Sequence, residues 1–133
     1  MIYDRLYVQF LVHFNWRRDY YECHEVMEEL WLEEGRNPLF QGLLQIAVGL
    51  YHMENGNRSG SRKLLTAGIS KLRPYPDQVL GIELQQLIIE AEQYVRQLEC
   101  WDQAPFAFYH LTIQIIDPEL LKDMTEVASK MEE

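Results

Sequence analysis

The stretch Pro38-Leu39-Phe40-Gln41-Gly42-Leu43-Leu44-Gln45-Ile46-Ala47-Val48-Gly49-Leu50-Tyr51-His52 decides the fold. Proline is a favoured first helical residue, and Gly56 supplies a stop beyond the run. Between them the sequence is apolar on nearly every side. A helix apolar all round must be covered all round, so this segment is expected to be the central helix, about 38–55, surrounded by the others. Its polar residues are confined: Gln41, Gln45 and His52 fall within an arc of about 40°, with Gly42 and Gly49 beside it. Glycines inside a helix cost roughly 1 kcal/mol each and let another backbone come close.

The helix before it is expected to start at Asp19, an N-cap with Glu22 three residues on, and to stop near Glu34 at Gly35. In Tyr20-Tyr21-Glu22-Cys23-His24-Glu25-Val26-Met27-Glu28-Glu29-Leu30-Trp31, a rotation of about 100° per residue separates two faces. Glu22, Glu25, Glu29 and Glu33 form a solvent face. Tyr20, Cys23, Val26, Met27, Leu30 and Trp31 form a core face. His24 and Glu28 join neither, and are expected to turn inward.

Elsewhere apolar residues recur at helical spacing from Asp4 to Phe14, where Asn15 and Trp16 interrupt. His13, near that end, is expected at the surface. Further helices are expected over 58–72, capped by Asn57, over 83–99, and from Pro118 to about Met131. Residues 106–116 alternate with period two but have no second strand to pair with. An extended arm over the helices is expected there. The chain thus reads as all-α, a single helical domain spanning 1–133.

Composition narrows the function. A net charge of −9 repels phosphate backbones and anionic membranes, so no nucleic-acid or membrane partner is expected. No apolar run is long enough to span a bilayer, and the N-terminus lacks a signal-peptide layout, so the chain is expected to be cytoplasmic. Cys23 and Cys100 are too far apart and too few to suggest a thiolate metal site. Bundles of this size often self-associate, so a homodimer is compatible with the sequence. Five of the twelve Lys and Arg lie between 58 and 73 and are expected to complement acidic neighbours.

The remaining polar constellation admits three readings. Packed antiparallel, the two helices bring His24 and Glu28 toward the Gln41/Gln45/His52 stripe. A buried hydrogen-bonded network of these groups would fix helix register, and losing His24 would then cost roughly 1–3 kcal/mol. Alternatively, His24, Glu28 and His52 could ligate zinc, iron or manganese, with Glu25 as general base. Thirdly, a small ligand, its identity unknown, could occupy a pocket lined by Tyr21, Trp31, Gln45 and Asn57.

The run from Tyr20 to Trp31, then Gln41-Gly42-Leu43-Leu44-Gln45, then Gly56-Asn57-x-x-Gly60, resembles domain-of-unknown-function family 309. The resemblance covers roughly Tyr7 to Leu72, with three motifs in order. It implies a helical bundle around one central helix, in small, mostly prokaryotic proteins. The family has carried the label "predicted metal-dependent hydrolase", which implies a metal at the His-Glu motif. His24, Glu25, Glu28, Trp31, Gln45 and Asn57 match its motif positions. His52 follows from helix geometry alone.

Overall fold

The computed structural model describes residues 2–132 and shows an all-α bundle. Its helices are α1 (Arg5–Val12), α2 (Tyr20–Glu33), α3 (Pro38–Glu54), α4 (Arg58–Leu72), α5 (Leu84–Glu99) and α6 (Pro118–Met131), with a two-residue hairpin, β1 (Gln78–Val79) and β2 (Ile82–Glu83). Neighbouring pairs run α6–α1–α2–α3–α4–α5, so α3 is central, as its composition requires. Its Leu39, Phe40, Leu43, Ile46, Ala47, Leu50 and Met53 enter one contiguous core. Leu44 and Val48 are half-buried and Tyr51 is exposed, so one edge of α3 reaches the surface between its neighbours.

Local chemistry sets the helix ends. Asp19 accepts the amide of Glu22 at 3.1 Å, Asn37 that of Leu39 at 2.9 Å, and Asn57 that of Gly60 at 2.9 Å. At the end of α2, Arg36 N–H donates to the Trp31 carbonyl at 2.7 Å around Gly35, whose φ is +65°. The end of α3 repeats this arrangement, with Asn57 N–H donating to the His52 carbonyl at 2.8 Å around Gly56 at φ +80°. Only a residue tolerant of positive φ permits these closures.

The closest helix contact is α3 on α4. A Cβ on Gly68 would stand 2.9 Å from the Gly42 carbonyl, 3.0 Å from Ile46 Cδ1 and 3.2 Å from Gln45 Cβ. A Cβ on Gly42 would stand 2.7 Å from Leu72. The glycines beside the polar stripe therefore permit the approach expected of them.

Three expectations change. The first helical segment does not stop at Asn15: a π-helical turn, His13–Arg17, carries it on to Arg18, at φ +55°. That wider turn places His13 inside, 7% exposed, with Nδ1 lacking a partner. The turn also presents Asn15 and Arg18 to residues 106–116. These are extended, as expected, but not without a strand partner, because Ile115 bridges Ile82 of β2. Most of the arm's remaining polar backbone contacts come from side chains. Asn15 both donates to the Ile113 carbonyl (2.7 Å) and accepts its amide (2.9 Å). Arg18 donates to the Leu111 carbonyl, and the Tyr94 hydroxyl bonds both the amide and the carbonyl of Tyr109. Leu111 and Ile113 thereby reach the core.

Gly68→Ala should lower unfolding free energy by about 1–3 kcal/mol in urea denaturation, despite alanine's better helix propensity, because a carbonyl cannot step aside. His13 gives a pH effect. Burial lowers its folded pKa, with Asp19 and Glu22 only partly opposing. The unfolded chain therefore takes the proton first, and stability should fall as pH drops below about 6.5, the ordinary histidine value. His13→Leu should flatten that part of the curve in denaturation midpoints compared between neutral and mildly acidic buffers.

Candidate functional site

Buried residues of α2 are Tyr20, Cys23, Met27 and Leu30. The centre of that buried arc lies about 80° from His24, about 120° from Glu28 and about 180° from Glu25. His24 and Glu28 consequently sit on the flank. Their side chains are 40% and 50% exposed and that of Glu25 is 52% exposed, so the expected buried network is instead a surface cluster. The helix on that side offers only the exposed edge of α3, which cannot cover them.

The cluster itself is well defined. His24 Nε2 lies 3.1 Å from Glu28 Oε2 and Nδ1 lies 3.3 Å from Glu25 Oε1. Both ring nitrogens thus face carboxylates, one from the next residue and one a turn on. Tyr21 stands at the N-terminal end, 54% exposed, its ring 6.2 Å from that of Tyr51. This contact puts Tyr51, the residue before His52, beside Tyr21, about a turn before His24.

His52 takes other partners. Its Nδ1 lies 3.4 Å from Asn57 Nδ2, which can donate to it, and its carbonyl accepts the Asn57 amide. Among the described residues, no group of three or more His, Cys, Asp or Glu side chains could hold a metal ion. His24, Glu28 and His52 are not gathered into one. Asn57 is an α4 cap, and its side chain fills the space that a Cβ on residue 60 would need, 2.5 Å from Nδ2. The Gly56-Asn57-x-x-Gly60 pattern is therefore a turn and cap. Trp31 and Gln45 make no hydrogen bond to the His24 cluster. Arg36 lies 5.7 Å over the Trp31 ring, and Trp31 Nε1 and Gln45 Oε1 are each buried without a partner.

Some arrangements were not read from sequence. Tyr51 was counted among the apolar residues of α3, although its spacing from the connector matches that of Tyr21. His110 is exposed, and its Nδ1 pairs with the Tyr20 hydroxyl at 2.6 Å. Burial and the nearby Arg18 guanidinium lower the His110 pKa, and burial raises that of Tyr20 to about 12. Of the basic residues on α4, Arg62 and Arg73 face Glu99 and Glu92 at 3.9 and 2.9 Å, and Arg58 covers Trp101 at 4.2 Å.

These features define a small helical-bundle protein with a capped turn and a surface His-Glu cluster. The model of the family described as domain of unknown function (DUF309) matches residues 7–64 of this chain. The uncharacterized protein YpuF of Bacillus subtilis (strain 168) is 34% identical over 103 residues, covering 74% of this chain and 59% of YpuF. An uncharacterized protein of Aquifex aeolicus (strain VF5) is 26% identical over 72 residues, covering 52% of this chain and 22% of its own length. The chain thus spans under two-thirds of either curated relative. No solved structure matches it. Among the described residues, no helix is long and apolar enough to cross a membrane.

Exposed ion pairs contribute about 0–1 kcal/mol. His24→Ala should therefore shift stability by under about 0.5 kcal/mol, whereas Asn57→Ala should cost about 1 kcal/mol through the lost cap. Urea denaturation of the two variants checks this ordering.

Proposed function

We propose that this chain, folding as one domain over 1–133, is a non-enzymatic interaction module of the cytoplasm. The flank of α2 bearing Tyr21, His24, Glu25 and Glu28, with Tyr51 of α3, would be its contact surface. The observation that carries this reading is the tilted pair Tyr21–Tyr51, left 54% and 36% exposed beside three half-exposed polar side chains. Aromatic anchors next to charge are the usual makings of a binding hot spot. A homodimer through this face would set Glu25 and Glu28 against their own copies, so the fitting partner is a different protein with a cationic surface. The net charge of −9 argues against nucleic acid.

The competing reading, a hydrolase with His24, Glu28 and His52 on zinc, iron or manganese and Glu25 as base, needs His52 brought a turn closer to His24. A small-ligand site at Tyr21, Trp31, Gln45 and Asn57 needs Asn57 released from its cap. Both require a rearranged α3 end.

Protein purified without a tag and equilibrated with each metal should retain less than roughly 0.1 ion per chain after desalting. About one ion per chain, abolished by His24→Ala, would replace the module reading with the hydrolase. A photo-crosslinking residue at position 28 should give one discrete protein adduct in cells, lost in the Glu25→Lys variant. Adducts that persist unchanged in that variant count against the proposed face.

A further inference from the structure

Away from the His24 cluster, a cleft of about 370 Å³ opens between the start of α1, the α2–α3 connector and residues 75–80. Its size falls in the range of small-molecule sites, roughly 300–1,000 Å³. Four aromatic residues line it: Tyr3, Tyr7, Phe40 and Tyr75. The Tyr7 ring stands 6.2 Å from Tyr3 and 6.1 Å from Phe40, both tilted, so these rings form a curved wall. Each phenol is tethered by a hydrogen bond. Tyr3 donates to Asp117, Tyr7 to the Leu80 carbonyl at 2.9 Å, and Tyr75 to Asn37 Oδ1 at 3.2 Å.

The charges in the lining are of one sign. Asp4 and Glu34 contribute carboxylates, and no Lys, Arg or His contributes to the wall. Asp4 is partly engaged, since Oδ1 accepts the Leu6 amide at 2.8 Å. Anions are repelled by such a cleft, and a neutral apolar guest would desolvate the carboxylates without compensation. A bare metal ion lacks its third ligand there, as it does elsewhere among the described residues. What the lining complements is a cation with an apolar surface, drawn to ring faces and to carboxylates together.

We propose that this cleft binds a small organic ammonium ion, alkylated or methylated on nitrogen, between the half-buried Tyr3 and Tyr75 rings and over a floor formed by the buried Tyr7 and Phe40, with Asp4 and Glu34 as counter-charges. The tethered hydroxyls hold the rings in place before binding, which limits the ordering cost. Leu80, 38% exposed at φ +50° in the β1–β2 turn, edges the opening beside Gly81 at φ +79°. The positive-φ pair is what the two-residue hairpin needs, and it aims the Leu80 carbonyl at Tyr7.

Choline and its uncharged isostere 3,3-dimethylbutan-1-ol separate the charge from the shape. Titrated into the full chain and followed by calorimetry and by aromatic NMR resonances, choline should saturate with a Kd below about 10 mM and the alcohol should not. Glu34→Gln, on an exposed helix end, should weaken choline by at least about five-fold, and Tyr75→Leu by a similar factor. Equal binding of the alcohol would mean an apolar pocket only and would overturn the proposal. No saturation by about 50 mM choline, or binding unchanged in both variants, would overturn it as well.

Discussion

The backbone contact between α3 and α4 is the constraint on which the rest of the bundle depends. Gly42 and Gly68 bring a carbonyl of each helix to within a side chain's thickness of the other's Cα. Helices packed through ordinary side chains stand about 8–10 Å apart, so an approach this close excludes anything larger than glycine at the crossing. Leu65 and Leu72 then fill the space over Gly49 and Gly42. With α4 seated, the turn at Gly56 and Asn57 has little freedom, and α5 follows against the far side of α4. α3 is thereby covered on one side by α4 and on the other by α2, and only the Leu44–Val48–Tyr51 edge stays open.

Much of this architecture is legible in the sequence, because it rests on local signals that are strong and mutually consistent. Asp19, Asn37 and Asn57 as caps, Pro38 and Pro118 at helix starts, and Gly35 and Gly56 at helix ends all act within a few residues. The π-helical turn at His13–Arg17 has no such signal. Asn15 and Trp16 look like an interruption, and the turn becomes favourable only when Asn15 and Arg18 find the arm nearly a hundred residues later. The hairpin at 78–83 is equally non-local in its use, since its Gly81 turn matters for the bridge to Ile115 and for the rest of Tyr7.

The site was less legible for a geometric reason. A helical wheel locates His24 and Glu28 relative to their own helix, but exposure depends on which neighbour covers that flank. The open edge of α3 does not. Register compounds the difficulty: Tyr51 meets Tyr21, about a turn before His24, and His52 takes Asn57 as its partner. A search for metal-ligand spacing in one dimension cannot detect this, because the residues are compatible in kind and separated only by packing.

The family motif thus divides into two physical classes. Gly42, Gly56, Asn57 and Gly60 are explained by the fold, since each is the small or capping residue that a close crossing or turn requires. His24, Glu25 and Glu28 have no comparable structural reason. An exposed trio of this kind adds at most about 1 kcal/mol. The proposed contact surface rests on the exposed position of these three residues beside Tyr21 and Tyr51, two aromatic rings next to carboxylates that would meet a partner's positive charge. The aromatic cleft at Tyr3, Tyr7, Phe40 and Tyr75 combines the same two elements, rings and carboxylates, at smaller scale. Both proposed sites would suit cationic, partly apolar ligands, which a chain of net charge −9 attracts.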